Sequence, residues 1–68
     1  MRYAVVIEKA NGNYSAYVSD LPGCVTTGKT VAAVEDEIRA AIRFHIEWLK
    51  ADGLEVPAAT SIADYVEA

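Results

Sequence analysis

The sequence predicts one small α+β domain over residues 1–68, of order β-β-β-α-β, in which an antiparallel sheet carries one long helix on one face. Three observations lead there. A helical period runs through Thr30–Ala51, two strand-like runs flank an Asn-Gly pair near the start, and turn-forming residues cluster at Asp20–Gly23.

The helix is the element on which the rest must lean. Val34, Ile38, Ala41, Ile42, His45 and Leu49 recur at three- and four-residue steps and so share one side, with Asp36, Arg39, Arg43, Glu47 and Lys50 opposite. Gly28 offers a turn before the helix and the Thr30 hydroxyl can cap its first N–H groups, with Glu35, Asp36 and Glu37 expected near the positive end of the dipole. Gly53 marks its end. At about 100° per residue, Phe44, Ile46 and Trp48 widen the apolar arc to roughly 200°, more than one packed surface needs. Phe44, His45, Ile46 and Trp48 are therefore the expected contact between copies of the chain.

The strands follow from period-two alternation. Between Arg2 and Lys9, Tyr3, Val5 and Ile7 fall on one face and Ala4, Val6 and Glu8 on the other. Asn11-Gly12 then signals a hairpin into Tyr14–Val18, where Tyr14, Ala16 and Val18 share a face. In Asp20-Leu21-Pro22-Gly23 the aspartate can bond forward to the backbone, proline presets φ and Gly23 takes positive φ. Cys24–Thr27 supplies a short third strand. After the helix, Leu54–Pro57 is extended by its proline, and residues 61–68 read as either a final helical turn or a short edge strand, the strand favoured because Tyr65 and Val66 suit a sheet.

Composition limits what the chain can do. A domain of 68 residues buries only about 60% of the surface its unfolded chain exposes, so self-association into a dimer or tetramer is expected to add burial. The single cysteine allows no internal disulfide, and the apolar N-terminal run is too short for a signal peptide or a membrane span, which suits the cytoplasm. Six basic residues against ten acidic ones give a net charge of −4, unsuited to direct nucleic-acid binding and suited to a basic protein partner.

The compound pattern Gly12-x-Tyr14-x-Ala16-x-x-x-Asp20-Leu21-Pro22-Gly23-Cys24-x-Thr26-x-Gly28-x-Thr30, followed by a long helix and then Gly53 and Pro57, resembles the HicB-like antitoxins. The likeness covers nearly the whole chain, and Gly12, Pro22, Gly23, Gly28 and Thr30 are its structural turn and cap residues. It implies a degenerate ribonuclease H-like fold and neutralisation of a HicA-type toxin, a small basic ribonuclease that cleaves messenger RNA. Ser19 replaces the family's usual proline and Lys29 a usual acidic residue, both tolerable surface changes. Many family members also bind operator DNA, but these 68 residues leave no room for a helix-turn-helix or ribbon-helix-helix beside the domain, so this chain is not expected to bind DNA directly. The expected toxin-docking residues are Asp20, Leu21, Glu35, Asp36 and Asp64.

The residues argue against chemistry. A metal-dependent nuclease would have to draw on Glu8, Asp20, Asp36 and Asp64, which have separate roles in a strand, a turn, a wet helix face and the chain's end. His45 lies on the apolar helix face without an evident partner, and Cys24 after Pro-Gly reads as a small buried residue. No catalytic, metal-binding or cofactor-binding residue is expected. Two function classes remain, a protein-binding antitoxin and an orphan oligomer of the same fold without a toxin partner.

Overall fold

The computed structural model describes residues 1–68. Its elements are β1 (Val5–Ala10), β2 (Asn13–Val18), β3 (Val25–Gly28) and α1 (Val31–Ala51). The Asn11-Gly12 turn brings β1 and β2 together antiparallel, Val5 opposite Val18 and Ala10 opposite Asn13. β3 pairs antiparallel with the other side of β2, Tyr14 opposite Gly28 and Tyr17 opposite Val25, so β1 and β3 are the sheet's two edges.

Both turns depend on a glycine at positive φ, 76° at Gly12 and 83° at Gly23, as their chemistry requires. The second turn is offset by one residue from its sequence reading. Its closing bond runs from the Cys24 amide to the Leu21 carbonyl (3.1 Å), which puts Pro22 and Gly23 at the two central positions, the type II pattern. A further bond from the Leu21 amide to the Val18 carbonyl (3.2 Å) tightens the loop. Leu21 thereby turns inward.

The helix begins where its cap residue stands. Thr30 has extended backbone and its hydroxyl accepts the Ala33 amide at 3.0 Å. The first turn itself holds no acidic residue, so Glu35–Glu37 lie one turn too far along to gain much from the dipole, which acts within the first turn. At the other end the Gly53 amide donates to the Lys50 carbonyl (3.1 Å) and the Leu54 amide to the Leu49 carbonyl (2.8 Å), the paired bonds of a Schellman stop.

The core is a single cluster in which Ala16 and Val18 of the sheet and Leu21 and Cys24 of the turn meet Val34 and Ile38 of the helix. Seven of the 68 residues are buried, which makes the core small for the surface it must hold together. The helix packs on β3 and β2. Gly28 explains how closely: a Cβ there would lie 2.9 Å from the Val34 nitrogen, so only glycine lets the first helical turn settle on β3.

The expected fourth strand is absent. Residues 54–68 form neither helix nor strand, and Ile62, Tyr65 and Val66 are 90%, 97% and 86% exposed. The Thr60 and Ser61 amides bond to the Asp20 carboxylate, and past Ser61 the one hydrogen bond is the local bond from the Tyr65 amide to Asp64. The architecture is a three-stranded antiparallel sheet followed by one helix, an α+β fold, without the last β of the order read from the sequence.

Candidate protein-interaction site

Asp20 sits where β2 ends, and the loop presents its carboxylate to the chain that returns from the helix. Four bonds converge on it: the Thr60 amide (3.1 Å) and Ser61 amide (3.0 Å) donate to Oδ2, and the Thr60 hydroxyl (3.1 Å) and Ser61 hydroxyl (2.9 Å) donate to Oδ1. The Ser61 amide and then its hydroxyl hold the carboxyl below the ordinary aspartate range, because each donor favours the ionised form. Instead of making the local forward bond expected of a turn aspartate, Asp20 ties residues 40 and 41 positions away. A second tie runs from the Tyr3 hydroxyl to the Pro57 carbonyl at 2.6 Å. Together they fix the returning chain against the end of the sheet where β1 begins.

The other expected docking residues are dispersed. Leu21 is 0% exposed and packs in the core, so its side chain has no surface to offer; in the turn that starts at Leu21, the apolar side chain fills the space beneath the helix. Glu35 is exposed on the helix, and Asp36 is exposed and bonded to Arg39 at 3.0 Å. Asp64 lies on the exposed tail and accepts the amide of its neighbour Tyr65 at 2.8 Å. The structure therefore joins Asp20 to the base of the tail and leaves Glu35 and Asp36 as a separate acidic helix surface.

The helix has two apolar flanks beside its buried stripe. On one, Phe44 and Trp48 are 73% and 50% exposed, and the C-terminal segment leaves them uncovered. His45, half-buried, meets Trp48 edge to face with ring centroids 5.9 Å apart. On the other flank Ile42 and Ile46 face a cleft of about 630 Å³ whose opposite wall is Tyr3, Val5 and Ile7, with Glu35, Arg39 and Arg43 at its rim. The sequence placed Ile46 with Phe44 and Trp48; the structure puts it on the β1 side. The cleft was missed because it depends on how far the helix leans from β1, which helical periodicity does not encode.

Cys24 is buried and burial pushes its thiol up, away from the thiolate needed for nucleophilic chemistry. No group of three His, Cys, Asp or Glu side chains is placed to hold a metal ion, and Glu8, Asp20, Asp36 and Asp64 do not converge. No helix is long and apolar enough to cross a membrane.

Three antiparallel strands and one helix, with apolar helix flanks left uncovered and acidic residues exposed on the helix, make up a small α+β domain. Residues 3–68 match the family described as HicB_like antitoxin of bacterial toxin-antitoxin system, and the chain belongs to that family. It is 38% identical over 66 residues to a 14.9 kDa protein of the rep-hol intergenic region of Haemophilus phage HP1, covering 97% of this chain and 50% of the relative. It is 43% identical over 58 residues to a UPF0150 protein of Thermoplasma acidophilum, covering 84% of each. A UPF0150 protein of Archaeoglobus fulgidus is 38% identical over 48 residues, covering 69% of this chain and 70% of the relative. The chain thus spans half the length of the phage protein and most of the length of the Thermoplasma one. No solved structure gives a significant match.

Proposed function

We propose that this chain is the antitoxin of a type II toxin-antitoxin pair, binding and neutralising a small basic ribonuclease of the HicA type in the cytoplasm. The observation that carries the reading is family membership over residues 3–68. The net charge of −4 supports it, since an acidic partner offsets the basic surface by which a ribonuclease holds RNA. Glu35 and Asp36 on the exposed helix face and Asp64 on the tail are the acidic groups proposed to steer that encounter, and the buried Leu21 is left out. The toxin is inhibited by occupation of its RNA-contacting surface. The antitoxin itself catalyses nothing and needs no metal or cofactor.

In this reading the functional unit is a homo-oligomer. The small core and the uncovered Phe44 and Trp48 support self-association, for which the Phe44–Trp48 flank is one contact surface.

Co-expression with a neighbouring basic reading frame tests the proposal. Growth arrest by that frame alone, relief by this chain and co-purification of the two are the expected results. Equal toxicity with and without this chain, with no complex recovered, overturns it and favours the orphan oligomer. Association should slow as salt rises while release changes little, because long-range charge governs encounter and short-range packing governs residence.

A further inference from the structure

We propose that the toxin docks by adding a strand to the free edge of β3, with an extended segment that is basic on the face turned to the helix and apolar on the other. This rests on the antitoxin reading and names the surface through which it acts.

The edge is open. β3 pairs only with β2, so its other side lacks a partner strand. The Val18 amide donates to the Cys24 carbonyl at 3.2 Å, and from that pair the alternation of an antiparallel ladder turns the peptide groups of Thr26 and Gly28 toward β2 and those of Val25 and Thr27 outward. No turn or cap bond uses these outward N–H and C=O groups. The strand, Val-Thr-Thr-Gly, also carries neither a charge nor a proline, the usual guards of an edge against strand addition.

The surroundings of the edge select the occupant. The chain's own tail is held elsewhere, tied at Pro57 to Tyr3 and at Thr60 and Ser61 to Asp20, with Ser61–Ala63 against Arg2–Val5 at the start of β1. Above β3 the helix is acidic. Glu35 lines the cleft on the β1 side, and Glu37, about 200° round the helix from it, stands on the β3 side, exposed and without an ion-pair partner. The helix's cations Arg39, Arg43 and Lys50 fall within about 40° of one another, away from Glu37 and toward the β1 side. Lys29 lies past the last residue of β3, outside the stretch to be paired.

This distribution separates a basic partner from a second copy. Two-fold pairing of β3 with β3 keeps both helices on one face of the joined sheet and sets Glu37 toward Glu37, like charge against like. A basic segment meets the opposite sign. Alternate side chains of the added strand fall on the helix side, below Glu37, and on the outer face beside Val25, which is 59% exposed and continues a cross-strand row with Tyr17 and Val6. Lysine or arginine suits the first set of positions and apolar residues the second.

Amide hydrogen exchange of the isotope-labelled full chain, free and with the basic protein of the neighbouring reading frame, tests the proposal together with the Thr27→Pro variant. Proline there removes an outward N–H and no bond to β2, so the variant should keep the helical circular dichroism of the wild type. The Val25 and Thr27 amides should exchange readily in the free chain and about tenfold or more slowly in the complex. Thr27→Pro should weaken the complex by about tenfold, the loss of one backbone bond. If the variant loses the fold, exchange in the wild type decides alone. Failure of the wild type to form a complex overturns the antitoxin reading and this proposal together. A complex in which both amides exchange as before, or one that a folded Thr27→Pro variant forms as tightly as the wild type, overturns strand addition alone. Protection of both amides already in the free chain shows the edge taken by a second copy and overturns it as well.

Discussion

On its β3 side the helix sits so close to the sheet that Gly28 has no room for a Cβ, whereas on its β1 side Ile42 and Ile46 look across a cleft toward Val5 and Ile7. The same helix closes one half of the sheet and leaves the other half ajar. Side chains on the closed half reach their packing partners within the chain, so their substitution should be felt in folding. Those on the open half are only partly covered, so their substitution should be felt mainly in association.

The largest expected effect comes from the closed half. Leu21→Ala removes a completely buried side chain from the cluster under Val34 and Ile38 and should lower stability by about 2–5 kcal/mol in urea denaturation. Ile46→Ala, on the open half, should change the stability of the dissociated chain by about 1 kcal/mol or less. Equal costs at the two positions would mean that the halves are packed alike and would break the comparison.

Gly28→Ala sharpens it from the backbone side. The added methyl group would meet the Val34 backbone, nitrogen at 2.9 Å and Cα at 3.1 Å, and neither can move without shifting the start of the helix. The expected destabilisation is about 1–3 kcal/mol, the usual range for overpacking. A neutral substitution would show that the helix can lift from β3 as readily as it leans from β1. A smaller loss, about 1 kcal/mol, is expected for Thr30→Ala, which frees the Ala33 amide now capped at 3.0 Å while leaving the helix's packing surface unchanged.

The closed half was also the legible half. Alternation in Tyr14, Ala16 and Val18, the positive φ of Gly12 and Gly23, the Thr30 cap and the Val34–Ile38–Leu49 stripe are local patterns, and each stands where the sequence put it. The open half depends on relations between distant residues. Asp20 was read as a turn residue bonding forward because that is its usual local option, but its donors lie 40 positions away and become neighbours only once the helix has reversed the chain. Leu21 was taken for surface because its neighbours are polar and turn-forming; the apolar side chain itself was the available sign of burial. Tyr65 and Val66 have strand propensity, but propensity specifies no partner edge, and a single copy leaves them unpaired. Of the helix's two apolar flanks, the width of its apolar arc anticipated the uncovered Phe44 and Trp48, while the cleft beside Ile46 had no linear signature.

The smallest effect on global stability, but the most selective for the open half, is expected from acid. The donors from Ser61 and Thr60 favour ionised Asp20 and hold its carboxyl below the ordinary value, so the folded state binds this proton less readily than the unfolded chain. The resulting contribution is complete above the ordinary aspartate value and disappears as pH falls through the lowered one. Protonation leaves fewer acceptor positions for the two amides and two hydroxyls that now converge on Oδ1 and Oδ2, so the base of the tail should loosen while the core, which contains no buried charge, persists. Amide resonances of Thr60 and Ser61, followed by nuclear magnetic resonance through that acid range, should shift together with the Asp20 carboxyl, while those of Val34 and Ile38 stay in place. Asp20→Ala should give Thr60 and Ser61 the low-pH shifts at neutral pH and abolish their titration. If core and tail resonances instead move together in the wild type, the clamp is not separable from the fold, and the distinction between a closed half and an open half loses its energetic meaning.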